Sequence, residues 1–404
     1  MTNKSIILEE KFAAHNYNPL PVVLVRAEGV YTWDDEGKRY IDMMSAYSAV
    51  SFGHCHPQLL AALIQQAQQL DVVSRAFYTD KLGLFLEYAC HLTKQDKALA
   101  MNSGAEAVET AIKAARKWGY KKKQIPEDKA EIIVCANNFH GRTTTIISFS
   151  TESQYRDGFG PLTPGFKIIP FGDFTALEAA ITPNTAAFLV EPIQGESGIN
   201  LPPEGYLKEC LDICHNHQVL LFVDEIQTGL GRTGKLFAYE HDGIHPDGLI
   251  LGKALGGGLL PVSLFLSRNE IMDVFTPGDH GSTFGGNPIA AAVGYAALKL
   301  LIDENLVDHT KEVGDFFISE LNKIKNPLIK DIRGKGLFIG VEINPNYCDA
   351  RTVALQLLEN GLLTKDTHGT VIRLCPPLII NRKQIKESVS VIQKSLDSLL
   401  QQFQ

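Results

Sequence analysis

The sequence has no surplus of positive charge: 38 lysines and arginines against 46 aspartates and glutamates leave a net charge of −8. Nothing electrostatic therefore draws it to nucleic acid or to an anionic membrane surface. It also lacks any apolar stretch long enough to span a bilayer. Its seven cysteines, at 55, 90, 135, 210, 214, 348 and 375, are odd in number and scattered. That argues against a disulfide framework and predicts reduced thiols in a cytoplasmic compartment. The opening MTNKSIILEEKFAAHNYN holds an apolar run too short for a secretory signal and lacks the arginines of a transit peptide. Internal repeats and low-complexity linkers are missing as well.

What is present is ordinary globular material, 45% apolar and 21% charged over 404 residues, enough for two or three structural units. Apolar β-like runs at Ile132–Ala136, Ala186–Val190, Val219–Val223 and Leu249–Leu251 alternate with helix-like segments such as Gly104–Tyr120 and Gly205–His217. The alternation predicts an α/β unit with a largely parallel central sheet. From about Asn305 the pattern changes. Two amphipathic helical stretches flank Gly336–Ile343 and Thr370–Cys375, which predicts a smaller α+β unit. Residues 30–42 read as a hairpin, with no indication of where it packs.

Several β-like runs stop at a polar or glycine-rich cluster. One ends in Asp224, one in Gly252-Lys253 followed by ALGGG, and one runs into NNFHGRT at 137–143. Ligands of open α/β sheets sit at the carboxyl ends of the strands. The arrangement proposes one site holding an acid, an amine, an aromatic ring and an arginine. Each residue alone has a plainer reading: Asp224 a helix cap, Lys253 a solvated charge, Phe139 part of a core. Their joint placement carries the argument.

Pyridoxal phosphate chemistry asks for this set. A lysine amine holds the cofactor as a Schiff base and later shuttles a proton. A carboxylate keeps the pyridine nitrogen protonated, so that the ring withdraws electrons. An aromatic side chain stacks on the ring, and a helix N-terminus receives the phosphate. Asn102-Ser103-Gly104-Ala105 opens a helical stretch with Glu106 and Glu109 early and Arg116 and Lys117 late, matching the helix dipole. The same Ser103-Gly-Ala-Glu106 is also a capping box, which needs no ligand.

Three lookalikes compete. GLGRTGK at 229–235 has the spacing of a nucleotide-binding P-loop, but Leu236 stands where a magnesium-binding hydroxyl is required and no convincing long helix follows. His54-Cys55-His56 and Cys210…Cys214-His215-Asn-His217 contain metal-ligand residue types without the paired spacing of a zinc site, so no metal is expected.

The motifs NYNPLP (16–21), GHCHP (53–57), MNSGAEAVETAIKAARKWGY (101–120), NNFHGRT (137–143), VEPIQGESG (190–198), LFVDEIQTGLGRTG (221–234), LGKALGGGLLPVS (251–263), HGSTFGGNP (280–288), RGKGL (333–337) and VIRLCPP (371–377) together define a family resemblance. Over nearly its whole length the chain resembles the class III (subgroup II) pyridoxal-phosphate aminotransferases, and is most similar to the members that take ornithine as amino donor. The resemblance implies a fold-type-I architecture: an N-terminal segment (1–45) belonging to a small domain, a large cofactor-binding domain (46–290) and a C-terminal small domain (291–404). It implies Lys253 and Asp224 as the catalytic pair, Gln227 near the cofactor's ring oxygen, and Phe139 against the ring. Ser103, Gly104 and Ala105 are implied at the phosphate, joined by Thr283 from the second subunit of a homodimer with shared sites. For substrate it implies Tyr17 at the α-amino end of ornithine, Tyr47 in the pocket wall, Arg142 on a carboxylate, and Arg373 with Glu196 as a switchable pair serving an amino acid and a 2-oxo acid in turn. His140 departs from the aromatic found in some ornithine-using members, which keeps N-acetylornithine and 4-aminobutyrate open as alternative donors.

Overall fold

The structure, a computed structural model, describes residues 3–402 and contains three sheets. Near the N-terminus, β1 (Leu24–Glu28), β2 (Tyr31–Asp34) and β3 (Arg39–Asp42) form an antiparallel meander. The turn between β2 and β3 is set by Asp34, whose carboxylate accepts the Glu36 and Lys38 amides at 3.1 and 2.8 Å and the Tyr40 hydroxyl at 2.7 Å. Gly37, at φ +83°, supplies the left-handed residue such a turn needs.

The central sheet has seven strands: β4 (Lys97–Met101), β5 (Glu131–Cys135), β6 (Phe166–Ile169), β7 (Thr185–Val190), β8 (Leu220–Asp224), β9 (Gly248–Leu251) and β10 (Ser263–Ser267). Their order is β4-β10-β9-β8-β7-β5-β6. Only β10 runs against its neighbours; the remaining pairs are parallel. Every residue of β7, β8 and β9 is buried, which is why these strands read as continuous apolar runs: helices cover both faces of the sheet. The carboxyl ends of β4, β5, β7, β8 and β9 consequently open on one edge.

The C-terminal part adds β11 (Ile329–Lys335), β12 (Phe338–Ile343), β13 (Leu362–Leu363), β14 (Asp366–Thr367) and β15 (Val371–Leu374). Four of them form an antiparallel sheet in the order β11-β12-β15-β14, while β13 leaves it to pair in parallel with β3. The N-terminal meander is therefore tied to the far end of the chain. Three helices accompany these strands, at Leu306–Leu321, Ala350–Glu359 and Arg382–Gln402, where the sequence pattern predicts two. The extra one is short and locally specified: Asp349 caps it by accepting the Thr352 amide at 2.7 Å, and Gly361 at φ +86° lets the chain turn away.

The P-loop lookalike is a structural bolt. Its Arg232 is fully buried and donates to the Leu337 carbonyl at 3.1 Å, to the Ser51 hydroxyl at 2.9 Å and to the Pro376 carbonyl. Only a short 3-10 turn, Ala238–His241, follows it. The histidines and cysteines of the metal lookalikes are engaged elsewhere. His54 pairs with Asp42 at 2.8 Å, His215 with Asp247 at 3.2 Å, and Cys210 and Cys214 lie in the core. Among the described residues no group of three or more His, Cys, Asp or Glu could hold a metal, and no helix is long and apolar enough to cross a membrane.

Candidate active site

Two adjoining cavities lie at the carboxyl edge of the central sheet, and Lys253 and Phe139 line both. The inner one, about 170 Å³, is bounded by Gly104 and Ala105 at the start of helix Gly104–Lys121, by Asp224 at the end of β8 and Gln227 beyond it, and by Glu191 after β7. The outer one, about 730 Å³, is open to solvent and includes Tyr17, Tyr47, Arg142, Glu196 and Lys365 in its walls. The sequence-predicted residues thus converge from distant segments, with three exceptions. Arg373 lines neither cavity but bonds Glu196 and Gln227, which do. Ser103 spends its hydroxyl capping the helix through the Glu106 amide at 3.2 Å, and Thr283 lies exposed outside both cavities.

Lys253 sits at φ +45° directly after β9, a left-handed conformation that costs a non-glycine residue roughly 1–2 kcal/mol. Such strain is tolerated where the surroundings over-determine it. Burial pushes its ammonium down to about 8, against the pull of the Glu196 carboxylate, so the amine gives up its proton far more readily than an ordinary lysine. Asp224 is 5% exposed; its Oδ1 accepts the Ile226 amide at 3.0 Å, and its Oδ2 lies 2.7 Å from His140 Nδ1. Burial disfavours the charged imidazole, but the hydrogen bond and the negative charge of Asp224 prevail and raise its pKa. Glu191 completes this buried group. Burial lifts its carboxyl to about 7 while its Oε1 accepts the Phe139 amide at 2.8 Å. Sequence reasoning missed Glu191, although it stands at the carboxyl end of β7 much as Asp224 stands at that of β8.

Arg373, on β15, is 1% exposed. Its Nη1 donates to Glu196 Oε1 at 2.8 Å and its Nη2 to Gln227 Oε1 at 2.7 Å, while Gln227 Nε2 donates to the same Glu196 oxygen at 3.0 Å. Burial would raise the Glu196 carboxyl, but the charges of Arg373 and Lys253 hold it down at about 2. The pair is therefore closed, with Gln227 as its third member, a link the sequence pattern did not suggest. Arg142, by contrast, carries no carboxylate: it lies over the Tyr155 ring, 4.4 Å from its centroid, and donates to the Tyr155 hydroxyl at 3.3 Å.

Tyr47 stands on an unusual backbone. Ser45, Ala46, Tyr47 and Ser48 all have positive φ, 46°, 44°, 60° and 77°, forming one left-handed turn. Asp42 anchors it by accepting the Met44 and Ser45 amides at 2.7 and 2.9 Å. The turn presents the Tyr47 ring to three cations: Arg373 lies 5.3 Å from its centroid, Lys253 and Lys365 each 5.9 Å.

Residues 12–396 match the family described as aminotransferase class-III. The chain belongs to the class III aminotransferases. It is 55% identical over 398 residues, 98% of either chain, to an ornithine aminotransferase of an Exiguobacterium species. Its structure superposes with a TM-score of 0.97 on the ornithine aminotransferase of Toxoplasma gondii, at 45% identity, covering 98% of this chain and 95% of that one. An acetylornithine aminotransferase from Elizabethkingia anophelis is also similar, with 50% identity, a TM-score of 0.88 and 98% of either chain covered. Class III aminotransferases use pyridoxal phosphate, and the inner cavity fits it. The site offers a buried carboxylate, a nucleophilic amine and a helix start at Gly104, where an added Cβ would press on the tip of the Ile226 side chain at 2.9 Å.

Proposed function

We propose that this class III aminotransferase moves the δ-amino group of L-ornithine to 2-oxoglutarate, giving glutamate 5-semialdehyde and glutamate. The observation that carries the reading is the closed Glu196–Arg373 pair at 2.8 Å beside an Arg142 with no carboxylate of its own. Ornithine has one carboxylate and must enter with its δ-amine inward. An uncovered inner arginine would draw in the wrong end, and Glu196 prevents that. The acceptor has two carboxylates and needs both arginines, so Glu196 must release Arg373 in the second half-reaction.

The bound cofactor supplies an electron sink for the substrate carbon that loses its proton. This chain's residues do the rest. With the cofactor bound, Asp224 would hold the proton on the ring nitrogen, Phe139 would pack on the ring, and Gln227 would serve its ring oxygen. The amides of Gly104 and Ala105, at the positive end of their helix, receive the phosphate. Lys253 Nζ takes and returns the substrate proton, aided by a depressed pKa near working pH. Arg142 holds the ornithine carboxylate and Tyr17 its α-amine, with Tyr47 closing the wall.

The same reading makes the enzyme a homodimer in which Thr283 of the partner subunit completes the phosphate site. Exposed Phe77, Tyr78 and Phe284 on the free chain support such an interface. It also divides the chain at 1–45, 46–290 and 291–404 and puts the enzyme in the cytoplasm, in keeping with seven unpaired cysteines. The test is a comparison of amino donors. Ornithine should exceed N-acetylornithine and 4-aminobutyrate in kcat/KM by about two orders of magnitude, the worth of a lost charged contact. Preference for the acetylated donor, which needs no partner at Tyr17, would select the alternative.

A further inference from the structure

A carboxylate that leaves a buried arginine yet stays within the site is favoured where a second cation replaces the one it lost. Arg142 is committed to the distal carboxylate of the acceptor, and Lys253 to chemistry. Among the described residues, Lys365 is the remaining lysine or arginine in the outer cavity's wall, with the imidazole of His368 three residues on. Its one side-chain hydrogen bond among the described residues is a long one, 3.4 Å, to the Tyr47 hydroxyl, and no carboxylate pairs with it. Lys365 and Thr367 stand two residues apart and both line the outer cavity. The Thr367 hydroxyl donates to the Glu196 backbone carbonyl at 2.7 Å, which ties this segment to Glu196. The Lys365 carbonyl in turn accepts the Arg373 amide at 3.4 Å. Arg373 and Lys365 thus both lie against one aromatic ring, 5.3 and 5.9 Å from the Tyr47 centroid, with Glu196 on the former.

We infer that Lys365 is the second pole of the substrate switch: it receives the Glu196 carboxylate when an incoming dicarboxylate takes Arg373. This rests on the switch reading of the Glu196–Arg373 pair and adds to it a residue that sets acceptor affinity without touching the acceptor. Tyr47 touches both poles, held there by the left-handed turn.

The experiment is a double-mutant cycle read by calorimetry, with glutarate, a dicarboxylate without a reactive carbonyl, titrated into the holoenzyme. Lys365→Met is expected to weaken glutarate about tenfold in the wild-type background, a coupling typical of contacting charged groups. In the Glu196→Gln background no displaced charge needs a home, and the same replacement should change Kd less than about twofold. Lys365→Arg should restore wild-type binding in the first background, which separates lost charge from lost packing. Equal weakening in both backgrounds would mean that Lys365 contacts the ligand, and would overturn the inference, as would no weakening in either. Glu196→Gln alone should tighten glutarate; unchanged affinity there would sink the switch reading itself, independently of Lys365.

Discussion

His140 presents Nδ1 to Asp224 Oδ2 at 2.7 Å inside a fully buried pocket, and its Nε2 has no partner among the described residues. The contact fixes the carboxylate that faces the cofactor ring, which makes His140 a positioning residue. Its raised pKa has a definite sign for stability. The contribution is complete below the ordinary imidazole value of 6.5 and is lost as pH rises through the higher folded value. His140→Phe should therefore weaken cofactor affinity about tenfold by leaving Asp224 short of a hydrogen bond. The difference in melting temperature between the two apoproteins should shrink at alkaline pH. Equal cofactor affinity would remove His140 from the site.

Glu191 gives the opposite kind of test. Its carboxyl, lifted by burial from 4.5 to about 7, binds its proton more tightly in the folded state than in the unfolded one. Stability must fall as pH rises between those two values. Glu191→Gln, which keeps the acceptor for the Phe139 amide, should flatten that slope and stabilise the apoprotein at pH 8 by on the order of 1–3 kcal/mol. Urea denaturation of both proteins across that range measures it; parallel curves would contradict the assignment.

Arg232 joins the segment after β8 to Ser51, Leu337 and Pro376 through buried hydrogen bonds. Removing the guanidinium leaves two carbonyls and a hydroxyl without their donor, at about 1–3 kcal/mol each. Arg232→Met should lower the urea midpoint accordingly. Arg232→Lys should recover little, since one ammonium cannot reproduce the planar fork.

The turn at Ser45–Ser48 can be probed by relief of strain. Ala46 is exposed at φ 44°, ψ 53°, where a Cβ is unfavourable. Ala46→Gly should gain about 0.5–1 kcal/mol once the glycine's extra unfolded freedom is discounted. A destabilised Ala46→Gly variant would mean the turn is not left-handed in solution.

Much of this was legible in the sequence because strand-end chemistry is local. Asp224 and Lys253 stand at the ends of fully buried strands, and the apolar runs before them announce both the strands and the edge on which they stop. Long-range relationships were not legible. Nothing in GHCHP or GRTG says that Arg232 reaches Ser51, and the parallel pairing of β3 with β13 joins residues more than three hundred positions apart. Glu196 and Arg373 could be suspected as partners only through family resemblance, and Gln227 as their bridge not at all, since a glutamine after an acidic strand end has many uses. The left-handed turn under Tyr47 was invisible for a plainer reason: SAYS contains no glycine to signal it.

The most direct test of the account is the absorption spectrum of the purified enzyme with cofactor bound, and of its Lys253→Ala variant. The wild type should show a yellow band that disappears on adding L-ornithine and returns on adding 2-oxoglutarate, and the variant should show no such cycle. A band indifferent to ornithine, or a full cycle in the absence of the Lys253 amine, would contradict the claim that this amine and Asp224 work on the same bound ring.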